Sequence, residues 1–298
     1  MNYRLLGSSQ LLVSEIGFGC MSLTEENTAN KKLVHRAIEG GINFFDTADL
    51  YQKGFNETSV GNALKENRKQ VIIATKVGNE WKEDGSSWNW NPRKEYILAA
   101  VEKSLQRLQT DYIDLYQLHG GTIEDPMDEI IEAFELLKQQ GKIRYYGISS
   151  IRPNVICEYV KRSNIVSVMM QYSLLDRRPE ESCLDLLLKH NIGVLARGTL
   201  AKGLLIDKQP ASYLDYTVAE VSNAAAAIKI IGEKGDGTIA IALGYVLNHP
   251  AVVSAITGIR TLEQVEAIIS ASSNLLLEKE QIEKLTYSIA LNYYKEHR

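Results

Sequence analysis

Cysteine is scarce in this chain, with three among 298 residues, at positions 20, 157 and 183. The number is odd and no two share a metal-ligand spacing, so neither a disulfide framework nor a zinc site organises the fold. The thiols read as reduced, in a cytoplasmic protein. Long apolar runs are missing too. None approaches the roughly 18 residues of a membrane span, and MNYRLLGSSQ lacks the basic-then-apolar layout of a secretory leader. No membrane partner is expected. Clustered positive charge is also absent: 33 Lys and Arg are spread along the chain against 37 Asp and Glu, for a net charge of −4. Without a basic stripe, nucleic acid is not an expected partner. No Pro-, Gly- or Ser-rich linker divides the chain, which predicts one domain over residues 1–298.

Two nucleotide-binding fingerprints fail as well. GFGCMS (17–22) has two glycines at the right spacing but Ser22 where the third belongs, and GEKGDGT (232–238) lacks the lysine of a phosphate-binding loop.

What is present is a regular beat. SEIGFGCM, INFFDTA, VIIATKV, YIDLYQLH, IRYYGISS, SVMMQYSLL, GVLARGTL and VVSAITGI read as short strands. Amphipathic stretches such as KKLVHRAIEGG, PRKEYILAAVEKSLQRL and MDEIIEAFELLKQQG separate them as helices. VIIATKV is so apolar that both its faces must be covered, as in a parallel sheet. Eight strand-then-helix units predict a parallel (β/α)8 barrel, with a doubly wound open sheet as runner-up. MNYRLLGSSQLLVSEI adds an N-terminal hairpin, and EKEQIEKLTYSIALNYYKE a last amphipathic helix.

In such a barrel the chemistry sits at the C-terminal ends of the strands. FFDTADLYQKGFNE (44–57) ends the second strand on Asp46 and presents Tyr51 in the loop behind it. The third strand ends at Lys76 and the fourth at His119. Singly, each has a bland reading: a turn-capping carboxylate, a packing tyrosine, a solvated lysine, a structural histidine. Together on one rim they suggest a proton-delivery device. A phenol with an ordinary pKa of about 10 is a poor acid near neutrality unless a neighbouring cation favours the phenolate. A buried lysine keeps its own charge only beside a carboxylate. Histidine can then position an oxygen near the phenol, and the target is a carbonyl oxygen.

These residues resemble the aldo-keto reductase superfamily along nearly the whole chain. DTADLY (46–51), ATKVG (74–78) and DLYQLHGG (114–121) look like its Asp, Tyr, Lys and His tetrad, in order. GISS (147–150), MMQYS (169–173), ARGTLAKGLL (196–205) and TGIRTLEQVE (257–266) resemble its cofactor segments. The resemblance implies NADPH-dependent reduction of a small carbonyl substrate, without metal or flavin, with Tyr51 as general acid. It implies that Ser149, Ser150 and Gln171 hold the carboxamide. Arg197, Gly198, Leu200, Lys202 and Gly203 would line the pyrophosphate loop, while Met21 and Asp46 border the cofactor. Gly258, Arg260 and Gln264 would sit at the adenosine end. There Arg260 is the natural partner for a 2′-phosphate, and a solvated arginine opening a helix is the bland alternative.

Three departures stand out. Arg197 occupies a position where an aromatic ring is common, and its charge would disfavour oxidised cofactor. Ala267 and Ile268 replace a usual Glu-Asn pair, and Thr257 stands where proline is common, leaving adenine contacts and the choice between NADP and NAD open. GNEWKEDGSSWNWNP (78–92) carries all three tryptophans and reads either as an aromatic wall for the substrate or as a plug anchoring a long loop. Segment 204–221 would close as a lid. A cofactor-binding sensor on the same fold is the alternative function, and a Schiff-base aldolase using Lys76 is disfavoured because Asp46 would keep that amine protonated. Oligomeric state and substrate identity stay open.

Overall fold

A computed structural model describes residues 1–24, 26–233 and 237–298. The GEKGDGT stretch lies partly outside them. Eight parallel strands close a barrel in the order six, seven, eight, one, two, three, four, five. They are Ile16–Gly19, Phe44–Asp46, Ile72–Val77, Ile113–Leu118, Ile143–Ser149, Ser167–Gln171, Gly193–Arg197 and Val252–Gly258. The expected strands and their sequence order are all found. Ring closure pairs Ala255 with Ile16 and Gly258 with Gly19.

Alternation along each strand decides what enters the barrel. Phe44, Ala74, Leu115, Met169 and Leu195 fill the interior, and Leu6, Leu11 and Val13 of the N-terminal hairpin (Tyr3–Leu5 with Leu12–Ser14) close the bottom. The opposite parity, including Phe45, Ile73, Tyr116 and Ile148, packs under the surrounding helices. Two positions above Phe44, Ala74 and Leu115, the same inward parity carries Asp46, Lys76 and Gln117. Charge therefore enters the barrel only above its apolar filling.

Buried ion pairs tie the helices to the barrel. Glu57 on the helix Phe55–Leu64 accepts from Thr75 Oγ1 at 2.6 Å and from Arg107 Nε at 2.7 Å. Asp114 pairs with Arg68 at 2.8 Å and with Arg144 at 2.9 Å. Those two guanidiniums stack on the Tyr112 ring, at 3.9 and 4.1 Å from its centroid.

Two local readings change. The 78–92 stretch, expected as a long loop, contains an antiparallel hairpin, Asn79–Trp81 with Trp88–Trp90. The last helix, Lys279–Tyr287, stops at Tyr287 instead of running on to Glu296. Beyond it the backbone makes tertiary bonds: Tyr216 Oη donates to the Ala290 carbonyl, and Asn154 N–H donates to that of His297. Those bonds replace the i→i−4 ladder of a helix. Among the described residues no helix is long and apolar enough to cross a membrane.

Candidate active site

Register brings the rim residues together. Gly19 pairs with Asp46, Asp46 with Ala74, and Lys76 with Gln117, so three inward side chains meet at one height. Lys76 is 1% exposed and Asp46 5%. The Lys76 ammonium donates to Asp46 Oδ2 at 2.7 Å, to the Thr47 carbonyl at 2.8 Å and to Tyr51 Oη at 3.2 Å. All three N–H bonds of an ammonium are thereby used. Burial alone would drive the proton off, but the Asp46 carboxylate and the Tyr51 oxygen outweigh it and leave Lys76 above its ordinary pKa. Burial also pushes the Asp46 carboxyl up, opposed by Lys76 and then by Gln117 and Arg197. With the ammonium at 2.7 Å, the ion pair is the form the geometry favours.

Tyr51 reaches Lys76 through a tight turn. Its N–H bonds the Ala48 carbonyl, and the chain then passes through the left-handed region at Gln52 (φ +50°), Lys53 (φ +56°) and Gly54 (φ +86°) before the helix starts. A left-handed non-glycine residue costs about 1 kcal/mol. Gln52 Nε2 offsets part of that by donating to the Leu23 carbonyl at 2.8 Å.

His119 stands edge-on to Tyr51, with ring centroids 5.7 Å apart and planes at 84°. Burial, with the positive charges of Lys76 and Arg197 behind it, lowers its pKa to about 3, so the ring is neutral. Its Nδ1 is sealed without a partner among the described residues. A proton there would be a buried unpaired donor, which places the N–H on Nε2, open to the cavity. Nearby Asp49 is buried, with Oδ1 unpartnered among the described residues, and burial and then Glu57 push its carboxyl well above the ordinary range. Cys20, behind Asp46, is fully buried, and its thiol is pushed up by that burial, so it is an inert packing residue.

These groups open into a cavity of about 650 Å³. Twelve of the expected residues line it: Met21, Asp46, Tyr51, Lys76, His119, Ser149, Ser150, Gln171, Arg197, Gly198, Lys202 and Gly258. Leu200 instead packs on the core, and Gly203 closes the turn after the seventh strand through its N–H to the Leu200 carbonyl. Arg260 and Gln264 lie exposed beyond Gly258, where Gln264 Oε1 accepts the Arg260 N–H at 2.8 Å. Gln171 is already engaged: Nε2 donates to Asp176 and to Tyr213 Oη, at 2.8 and 3.2 Å, and Oε1 accepts from Arg197 at 3.1 Å. Tyr213 thus latches segment 204–221 to the floor of the site, and it lines the cavity alongside Ile151 and Arg152. Ile151 and Arg152 were not legible in sequence, since only the turn chemistry of Pro153 marks that neighbourhood, and Tyr213 was expected only as part of the 204–221 segment.

The tryptophans do not line the cavity. Trp90 wedges against Gly78 and Gly120 and donates from Nε1 to Asp125 at 2.9 Å. A Cβ on Gly78, whose φ is +126°, would fall 2.5 Å from the indole. Trp81 donates to the Leu50 carbonyl at 3.2 Å and meets Trp88 edge-on. The hairpin is a plug that props Leu50 and Gly120, two residues of the cavity wall.

Comparison with known proteins gives the site a context. A model described as the aldo/keto reductase family matches residues 15–289. An "Uncharacterized oxidoreductase YqkF" of Bacillus subtilis (strain 168) is 52% identical over the full length of both chains. The solved structure of aldo-keto reductase AKR11C1 from Bacillus halodurans in its holo form is 49% identical, with a TM-score of 0.95, covering 100% of this chain and 99% of that one. Its apo form gives 0.87 at 47% identity and the same coverage. "Aldo-keto reductase yakc [NADP(+)]" of Schizosaccharomyces pombe is 33% identical over 65% of this chain and 60% of its own.

Proposed function

Because the chain belongs to the aldo/keto reductase family of oxidoreductases, we propose that it reduces small aldehydes or ketones to alcohols with NADPH, and that Tyr51 is the acid. The observation that carries this reading is the Lys76 ammonium bonded at once to Asp46, the Thr47 carbonyl and the Tyr51 hydroxyl. A carbonyl oxygen reaching this corner meets two donors, the Tyr51 hydroxyl and His119 Nε2–H. As negative charge builds on that oxygen, Tyr51 transfers its proton. The phenolate left behind is stabilised by Lys76, whose charge Asp46 balances. His119, neutral, orients the oxygen without competing for the proton.

The cavity suits the nucleotide. Gly198 takes φ +69° and leaves the backbone bare beside Gln171. Ser149 offers a hydroxyl with no partner among the described residues. Charge agrees, since Arg197 and Lys202 line the wall and Arg260 stands at the exposed end, fitted to a 2′-phosphate. Bound NADPH would supply the hydride. The likeness to a relative named for NADP(+) supports the same choice. Ser149 and Ser150, with the free lone pair of Gln171 Oε1, would hold the carboxamide, and the whole chain would act as one domain.

The test is oxidation of NADPH with a reactive aromatic aldehyde, alongside calorimetric titration of NADPH, for the wild type and Tyr51→Phe. Turnover lost by 10²–10⁴-fold in the variant, with cofactor binding kept, supports the reading. Binding without turnover in either protein favours a cofactor sensor.

A further inference from the structure

One cation in the cavity wall has no part in that chemistry. Arg152 is the last residue before the helix Pro153–Arg162, at the mouth of the fifth strand. It lines the same cavity as Tyr51 and His119. Its backbone N–H bonds Ser150 Oγ at 3.2 Å, and its guanidinium Nη1 donates to the Gly121 carbonyl. Gly121 belongs to the loop directly after His119, so the guanidinium is fixed on the His119 side of the mouth. Among the described residues that one bond leaves Nε and Nη2 free, a pair of parallel donors with the spacing of a carboxylate.

Four other arginines that are largely covered have acids. Arg68, Arg107, Arg177 and Arg178 are each paired at 2.6–2.8 Å, whereas Arg152 forms no ion pair among the described residues. The carboxylate beside Gly121 is turned elsewhere: Asp125 accepts from Trp90 Nε1 at 2.9 Å and from Thr122 N–H at 2.6 Å. Of the charged residues lining the cavity, Asp46 and Lys76 neutralise each other, leaving Arg152, Arg197 and Lys202 without an acid in the wall. Arg197 is held by Gln171, and Lys202 follows the seventh strand, two strands round the barrel from Arg152. A half-desolvated cation without a counter-charge is costly, and an anionic ligand relieves it. Leu50, Met21 and Ile151 supply apolar wall elsewhere in the same cavity.

Building on the reductase reading, we propose that the substrate is a carbonyl compound bearing a carboxylate, which Arg152 binds through Nε and Nη2 while the carbonyl reaches Tyr51. Arg152 is then a specificity determinant for acid-bearing aldehydes and ketones.

The experiment compares benzaldehyde with 4-carboxybenzaldehyde in the wild type, Arg152→Met and Arg152→Lys. The wild type should prefer the acid. Arg152→Met should raise KM for it at least tenfold with little change in kcat, shift KM for benzaldehyde far less, and Arg152→Lys should recover part of the loss. Equal effects on both aldehydes, no preference in the wild type, or weakened NADPH binding in Arg152→Met would overturn the proposal. Absence of all turnover would strike the reductase reading alone. Calorimetric binding of 4-carboxybenzyl alcohol then decides the handle separately: tenfold weaker binding in Arg152→Met supports it, and equal binding overturns it.

Discussion

Gln117 turns its side-chain amide toward the Asp46 oxygen that Lys76 leaves free, with Nε2 3.4 Å from Oδ1. Asp46 is thus held from both sides, by an ammonium on one oxygen and an amide on the other. Gln117 itself is fully buried, and its Oε1 has no partner among the described residues. A side chain so placed acts through Asp46.

Gln117→Leu should therefore weaken the ion pair. The amide helps hold the Asp46 carboxyl down against burial, so its removal lets that carboxyl protonate at higher pH and takes the counter-charge from Lys76. The expected outcome is an acid limb of kcat/KM moved to higher pH, with about 1 kcal/mol lost from the pair. KM for NADPH should not move. A pH–rate profile unchanged by the substitution would show that the amide only fills space.

His119 should be silent in the pH–rate profile between pH 5 and 8, because its pKa lies near 3. The same shift bears on stability. Unfolded histidine titrates near 6.5, so between pH 6.5 and about 3 the unfolded chain binds a proton that the folded one refuses. Stability is lost as pH falls through that window, and His119→Asn should lose less. Chemical denaturation of both proteins at pH 7.5 and pH 5 measures the difference.

Asp49 has the opposite sign. Its carboxyl is raised by burial and by Glu57, so the folded state keeps a proton that the unfolded chain releases above about pH 4. Folding stability falls as pH rises from there towards the folded-state value. Asp49→Asn removes that dependence and should be more stable than the wild type at pH 8, with the advantage shrinking towards pH 4. Paired melting curves at the two pH values test it.

Arg197 lies close enough to the site to lower the pKa of His119. Its charge should oppose the cationic ring of oxidised cofactor more than the neutral reduced one. Replacing it in Arg197→Tyr should raise NADP⁺ affinity relative to NADPH by about 1 kcal/mol, roughly fivefold. An unchanged affinity ratio in calorimetry would rule the effect out.

The barrel was legible because a strand buried on both faces, a helix stop and a repeat of eight leave a strong periodic trace. Asp46, Lys76 and His119 were legible for the same reason, since each lies within one residue of the end of a strand whose parity is set by the residues before it. Gln117 shares that parity, yet it sits inside the strand where an apolar neighbour would read no differently. The approach of Tyr213 and Arg152 to the site was invisible because it depends on tertiary folding of loops, which leaves no period. The left-handed pair Gln52 and Lys53 carries no glycine to announce it. The helix expected over residues 278–296 stops short because local amphipathicity does not register the tertiary bonds that the Ala290 and His297 carbonyls make.

The tryptophan hairpin gives the molecule an uneven optical signature. All three indoles lie within ten residues on one small two-stranded element, while the barrel itself is built without any. Intrinsic emission therefore samples the surroundings of Trp81, Trp88 and Trp90 and stays blind to the far side of the ring. A fluorescence melt reports detachment of that hairpin, whereas far-ultraviolet dichroism reports the helices. Any gap between the two midpoints measures how independently the prop beneath Leu50 and Gly120 comes loose.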